Sequence, residues 1–172
     1  MNLTNVIAAI PDYPKPGVIF RDITPLLADG KVFQQVIDQF AERYRPLGVT
    51  KVVGIEARGF IFATALAYAL GIGFVPLRKP GKLPRATLSQ TYALEYGEDT
   101  LEIHVDDIQP GERVVIMDDL LATGGTVMAA IELLRRQQAD IVECAFVITL
   151  NDLEGHSRLA NAAIPYYTLC TF

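Results

Sequence analysis

The stretch Val114-Val-Ile-Met-Asp-Asp-Leu-Leu-Ala-Thr-Gly-Gly-Thr126 constrains the fold more than any other part of the chain. An apolar run from Val114 to Met117 leads into the adjacent carboxylates Asp118 and Asp119. A small, hydroxyl-bearing loop from Ala122 to Thr126 follows, and an apolar-periodic segment begins after it. That order predicts a buried strand, a polar rim at its C-terminal end and a glycine loop opening a helix. In an open α/β sheet such a place binds ligands.

The residues of the loop say what kind of ligand. Gly124 and Gly125 let a ligand approach the main chain closely. Backbone N–H groups in such a loop converge on an anion, and the following helix adds its positive end. Thr123 and Thr126 bring hydroxyl donors to phosphate oxygens, while Asp118 and Asp119 accept from sugar hydroxyls or hold a metal through water. A phosphate cradle beside a hydroxyl clamp predicts a ribose 5-phosphate site. The loop lacks the Gly-x4-Gly-Lys-Ser/Thr pattern and its lysine, which argues against a nucleoside triphosphatase.

Around this motif the pattern alternates. A short helix is expected at Leu3–Ala9, ahead of a Pro-rich segment, and a longer one at Lys31–Arg45, where Val32, Val36, Ile37 and Phe40 share a face. Strands are expected at Val52–Ile55, Gly73–Leu77, Ile141–Leu150 and Tyr166–Leu169, and helices at Gly59–Leu70, Gly125–Gln138 and Asp152–Ala160. Ser89–Tyr96 and Thr100–His104 read as a hairpin around Gly97-Glu-Asp99. Strand–helix alternation implies an α/β fold, a mainly parallel sheet flanked by helices.

Composition excludes several classes. At 172 residues and 51% hydrophobic, the chain has the length of one ordinary domain and is not a disordered one. A formal charge of −5 argues against a nucleic-acid partner. A local basic cluster, Arg78, Lys79, Lys82 and Arg85, still suits an anionic substrate. From Gly59 to Leu77 there is no charge, but Gly71, Gly73 and Pro76 divide the run into a buried helix and a buried parallel strand, so no membrane span is expected. No secretory signal is evident, and a cytoplasmic location is expected. Cys144 and Cys170 show no disulfide or metal spacing, Cys144 reading as a buried thiol, and His104 and His156 are isolated.

The motif resembles the phosphoribosyl diphosphate (PRPP) site of type I phosphoribosyltransferases, and its Asp-Asp-Leu-Leu-Ala-Thr-Gly-Gly-Thr form resembles the members that act on adenine. Pro16-Gly-Val-Ile-Phe-Arg-Asp-Ile-Thr-Pro-Leu-Leu27, Glu56-Ala-Arg-Gly-Phe60, Arg78-Lys-Pro-Gly-Lys-Leu-Pro84 and Leu94-Glu-Tyr-Gly97 resemble the family's other signatures, in the family's order. The resemblance implies one domain over 1–172, with a small hood from about residues 1–30 and a flexible hairpin loop over the site. It implies purine salvage: transfer of the phosphoribosyl group of PRPP to adenine, with AMP and pyrophosphate as products, by a homodimer. Mg²⁺ would arrive on PRPP, bound through substrate oxygens and water, with no direct protein ligand.

The same resemblance distributes the roles. Ala122, Thr123, Gly124, Gly125 and Thr126 hold the 5-phosphate, and Asp118 and Asp119 the ribose hydroxyls. Arg58, Arg78, Lys79 and Lys82 meet the diphosphate. Ile19, Phe20, Arg21 and Leu150 form the adenine pocket, and Glu95 is the acid/base at the purine, with Arg58 at the reacting diphosphate. Two departures stand out: Glu56 replaces a frequent Asp, and Pro80 a basic residue. A PRPP- or purine-sensing regulator, or a transferase for xanthine, hypoxanthine or guanine, would share the PRPP loop.

Overall fold

The computed structural model describes residues 2–94 and 96–172. Its first element is a single 3-10 turn, Leu3–Asn5, followed by strand β1 (Ala8–Ile10) paired antiparallel with β2 (Phe20–Asp22). The helix expected at Leu3–Ala9 is thus a turn and a strand. The Asn2 side chain accepts from the Thr4 N–H at 3.1 Å and closes the turn. So short a helix has too few internal hydrogen bonds to compete with a strand ladder. Helix α1 (Thr24–Ala28), not expected from the pattern, precedes α2 (Gly30–Tyr44), whose first amides, Lys31 and Val32, donate to the capping Asp29 carboxylate.

Then come β3 (Lys51–Ile55), α3 (Arg58–Leu70), β4 (Gly73–Leu77), β5 (Thr87–Ala93), β6 (Glu98–His104), β7 (Arg113–Leu121), α4 (Gly125–Arg136), β8 (Asp140–Thr149), α5 (Gly155–Asn161) and β9 (Tyr166–Thr171). The main sheet runs β4-β3-β7-β8-β9, with every neighbouring pair parallel. Its central strands are covered on both faces. Val52, Val115 and Met117 enter the core with α2 and α3, while Val53, Ile116 and Phe146 enter the one with α4. This double burial explains the runs without alternation. The charge-free stretch is α3 plus β4, and among the described residues no helix is long and apolar enough to cross a membrane.

From β3 the chain moves outward to β4, then returns to the other side of β3 to lay down β7. The C-terminal ends of β3 and β7 therefore sit side by side where strand order reverses, and a crevice opens there. β5 and β6 form a separate hairpin packed against α4, with its turn closed by the Leu94 N–H donating to the Gly97 carbonyl at 2.9 Å. Asp99, expected in the turn, is in β6.

One polar knot braces the back of the sheet. Arg43 donates Nε and Nη2 to the Glu143 carboxylate at 2.7 Å each, and the buried Tyr44 hydroxyl donates to it at 2.8 Å. Burial and the Glu143 charge push the Tyr44 phenol well above its usual range. Glu143→Gln removes the charge that all three donors share, so thermal or urea unfolding should show a loss of about 1–3 kcal/mol.

Candidate functional site

The two acids do not lie beyond their strand, as the pattern led one to expect. β7 continues to Leu121 because β8 offers it a ladder through Leu121 and Thr149, so Asp118 and Asp119 project from the sheet itself. Asp119 is 5% exposed, and its carboxylate meets Arg58 Nε at 2.8 Å. The Asp118 carboxylate accepts the Asp119 N–H at 2.8 Å. Burial first, then the neighbouring Asp119 charge, push Asp118 well above the ordinary carboxylate value. One guanidinium faces two carboxylates, and the site favours the protonated form of Asp118 more than water does.

Gly59 makes this approach possible. A Cβ there would lie 2.9 Å from both Asp118 Oδ1 and the Met117 carbonyl, so only glycine lets the first turn of α3 press on the end of β7. The Glu56–Ala57 peptide just before it is cis.

The loop after β7 is held from behind. Gly124 has φ +87°, and its missing Cβ leaves room for Gly155 Cα at 3.0 Å. The Gly155 N–H donates to the Ala122 carbonyl at 2.9 Å, and Arg158 Nη1 donates to the Thr123 carbonyl at 3.2 Å. With those carbonyls tied to α5, the first amides of α4, which have no intrahelical acceptor, are left at the mouth of a cleft of about 500 Å³. Ala122 through Thr126, Asp118, Asp119, Arg58 and Lys79 line it.

The basic segment divides. Glu56 Oε1 accepts from the Lys79 N–H at 2.7 Å and from Arg78 Nε at 3.3 Å, and Oε2 accepts from Lys82 Nζ at 2.6 Å. Burial opposes ionisation of Glu56, but Lys82, the Lys79 amide and Arg78 outweigh it and hold the carboxyl below its usual range. Lys79 Nζ is paired with Asp99 and with the Tyr92 hydroxyl at 2.9 Å, and Thr126 Oγ1 donates to that same hydroxyl at 3.4 Å. Arg85 turns away to Asp106, Asp107 and the buried His104, whose ring nitrogens are both satisfied there.

The expected base pocket borders the cleft without lining it. Ile19 is 53% exposed. The Phe20 ring has the Arg58 guanidinium 5.8 Å from its centroid, and the Arg21 guanidinium lies 4.0 Å above the Phe172 ring. Phe172 in turn accepts the Asn151 N–H at 2.8 Å, next to Leu150. Glu95, the expected acid/base, lies outside the described residues. Reasoning along the chain passed over Gly59, Gly155, Arg158, Tyr92 and Phe172. Only the glycines left a local trace, and that trace does not say which neighbour each must admit.

The sequence profile of the phosphoribosyl transferase domain matches residues 23–166. Adenine phosphoribosyltransferase of Shewanella loihica is 57% identical over 166 residues, covering 96% of this chain and 92% of that protein. Among solved structures, adenine phosphoribosyltransferase of Thermoanaerobacter pseudethanolicus superposes with a TM-score of 0.93 at 45% identity, over 99% of this chain and 98% of that one. The Saccharomyces cerevisiae enzyme, solved with an imino-altritol bisphosphate and adenine, gives 0.92 at 40% identity, over 98% and 96% of the two chains. Matches of this extent, over a cleft built as described, show that the chain belongs to the adenine phosphoribosyltransferases, within the type I phosphoribosyltransferase family.

Proposed function

We propose that this chain transfers the 5-phosphoribosyl group of PRPP to adenine, releasing AMP and pyrophosphate, and so serves purine salvage. The observation that carries this reading is the joining, in one cleft, of a loop of free amides with a pair of carboxylates beside Arg58. The family's adenine-bound yeast member supports the choice of base.

In this reading the amides and hydroxyls of Ala122–Thr126 hold the 5-phosphate. Asp118 and Asp119 accept the ribose hydroxyls. Departure of the diphosphate leaves positive charge on the anomeric carbon, as in glycoside cleavage. Fixing the phosphate and hydroxyls holds that carbon in line with the base. Arg58, with Arg78, Lys79 and Lys82, stabilises the leaving anion. Phe20, Ile19, Arg21 and Leu150 hold adenine, and Glu95 exchanges a proton with it.

Among the described residues no group of three or more His, Cys, Asp or Glu side chains is arranged to hold a metal ion. The adjacent acids suit an ion that brings its own phosphate and water oxygens, so Mg²⁺ fits as part of the substrate. There it supplies charge neutralisation for the diphosphate. Residues 1–172 act as one domain, hooded by about residues 1–30, whose Leu3, Ile7, Ile23 and Leu26 share a core with α2 and α3. A cytoplasmic homodimer completes the proposal.

With Mg²⁺ and PRPP, adenine is expected to disappear as AMP forms, well ahead of hypoxanthine, guanine or xanthine in the same assay. Faster use of one of those bases overturns the choice of substrate. Tight PRPP or adenine binding with no product would make the protein a sensor.

A further inference from the structure

The cations assigned to the diphosphate already hold an anion. Glu56 takes Arg78, the Lys79 amide and Lys82 on its two oxygens, with its own carboxylate 9% exposed. The carboxylate is buried, and its main chain is tied to the end of β4, where the Glu56 N–H donates to the Leu77 carbonyl at 3.0 Å. Its partners can move: the Lys82 and Arg78 side chains are 45% and 34% exposed. Glu56 also lines the cleft next to Arg58.

We propose that Glu56 is a resident competitor of the diphosphate, a positioning residue that gathers Arg78 and Lys82 in the empty site and returns them to itself when product leaves. The inference rests on the function proposed above and deepens it. A diphosphate entering here must share those two cations with a fixed carboxylate and lie near its negative charge. Both effects weaken the bound anion, and both speed its release. Without a fixed anion the cations would remain on the diphosphate and product would dwell.

Glu56→Gln tests this, since it keeps the shape and the acceptor for the Lys79 amide while removing the charge. Calorimetric titration of the intact protein with Mg²⁺–pyrophosphate is expected to show binding about tenfold tighter in the variant, equivalent to about 1.4 kcal/mol. In steady state KM for PRPP and kcat should fall together, whereas a merely structural lesion raises KM. Glu56→Asp, which keeps the charge, should restore wild-type behaviour. Unchanged or weaker pyrophosphate binding in Glu56→Gln overturns the inference. If the wild-type protein itself neither binds Mg²⁺–pyrophosphate nor makes AMP, the proposed function is what has failed.

Discussion

Asp118→Asn and Asp119→Asn should each slow AMP formation by about 10²- to 10³-fold, in line with the loss of one charged group aimed at a reacting substrate, yet they should part company in stability. Ligand-free Asp118→Asn is expected to melt higher than wild type. Asn keeps an oxygen for the Asp119 N–H, held at 2.8 Å, and has no ionisation for burial and the Asp119 charge to oppose. Because Asp118 is only half-buried by surface, the rise in melting temperature should be modest. In Asp119→Asn, easier ionisation of Asp118 is offset by loss of the 2.8 Å pair with Arg58, so melting should barely move.

The pH dependence has a definite sign. The folded value of Asp118 lies above its ordinary 3.8, so its contribution to stability is fully present below 3.8 and is lost as pH rises through the folded value. Asp118→Asn has no such loss. Its melting advantage over wild type should therefore grow from acid toward neutral pH. Calorimetric scans at several pH values check it, and a flat or shrinking gap would mean that folding does not raise Asp118.

Gly155→Ala is the second large effect. The new methyl would start 2.6 Å from both the Ala122 carbonyl and Leu121 Cδ1, the first of which is backbone and cannot rotate aside. α5 must retreat, and with it go the hydrogen bonds from Gly155 and Arg158 that tie the Ala122 and Thr123 carbonyls. Overpacking of this kind costs about 1–3 kcal/mol. Displacement of the loop proposed to hold the 5-phosphate should raise KM for PRPP and lower kcat/KM by about 10²-fold, since small misplacements near a reacting centre have that effect. Wild-type kinetics in a folded Gly155→Ala would show that α5 does not set the loop. Arg158→Ala removes only the side-chain tie and should fall between.

These two tests probe parts of the site that were unequally legible. The strand, glycine loop and helix from Val114 to Thr126 could be read directly, because each neighbour in sequence is also a neighbour in space. The acids at its end were recognised, but not their place inside β7, since that depends on β8 extending the ladder through Thr149. At the N-terminus, Leu3–Ala9 lost its expected helix to a pairing with residues more than ten positions away. In the basic segment, Arg78, Lys79, Lys82 and Arg85 lie within eight residues, and their spacing does not say which carboxylate each will meet. Folding sends Arg85 to Asp106 and Asp107, Lys79 to Asp99, and Arg78 and Lys82 to Glu56.

By itself, then, the order of residues determined the alternating α/β class, the parallel sheet and the glycine loop that opens a helix after its central strand. All of these follow from local periodicity and from chemistry carried within a few adjacent positions. Only the tertiary structure decided which carboxylate resists ionisation, which cations are held and by what, and which glycines must stay bare. Such outcomes depend on burial, charge and distance between groups far apart along the chain, and no local pattern records them.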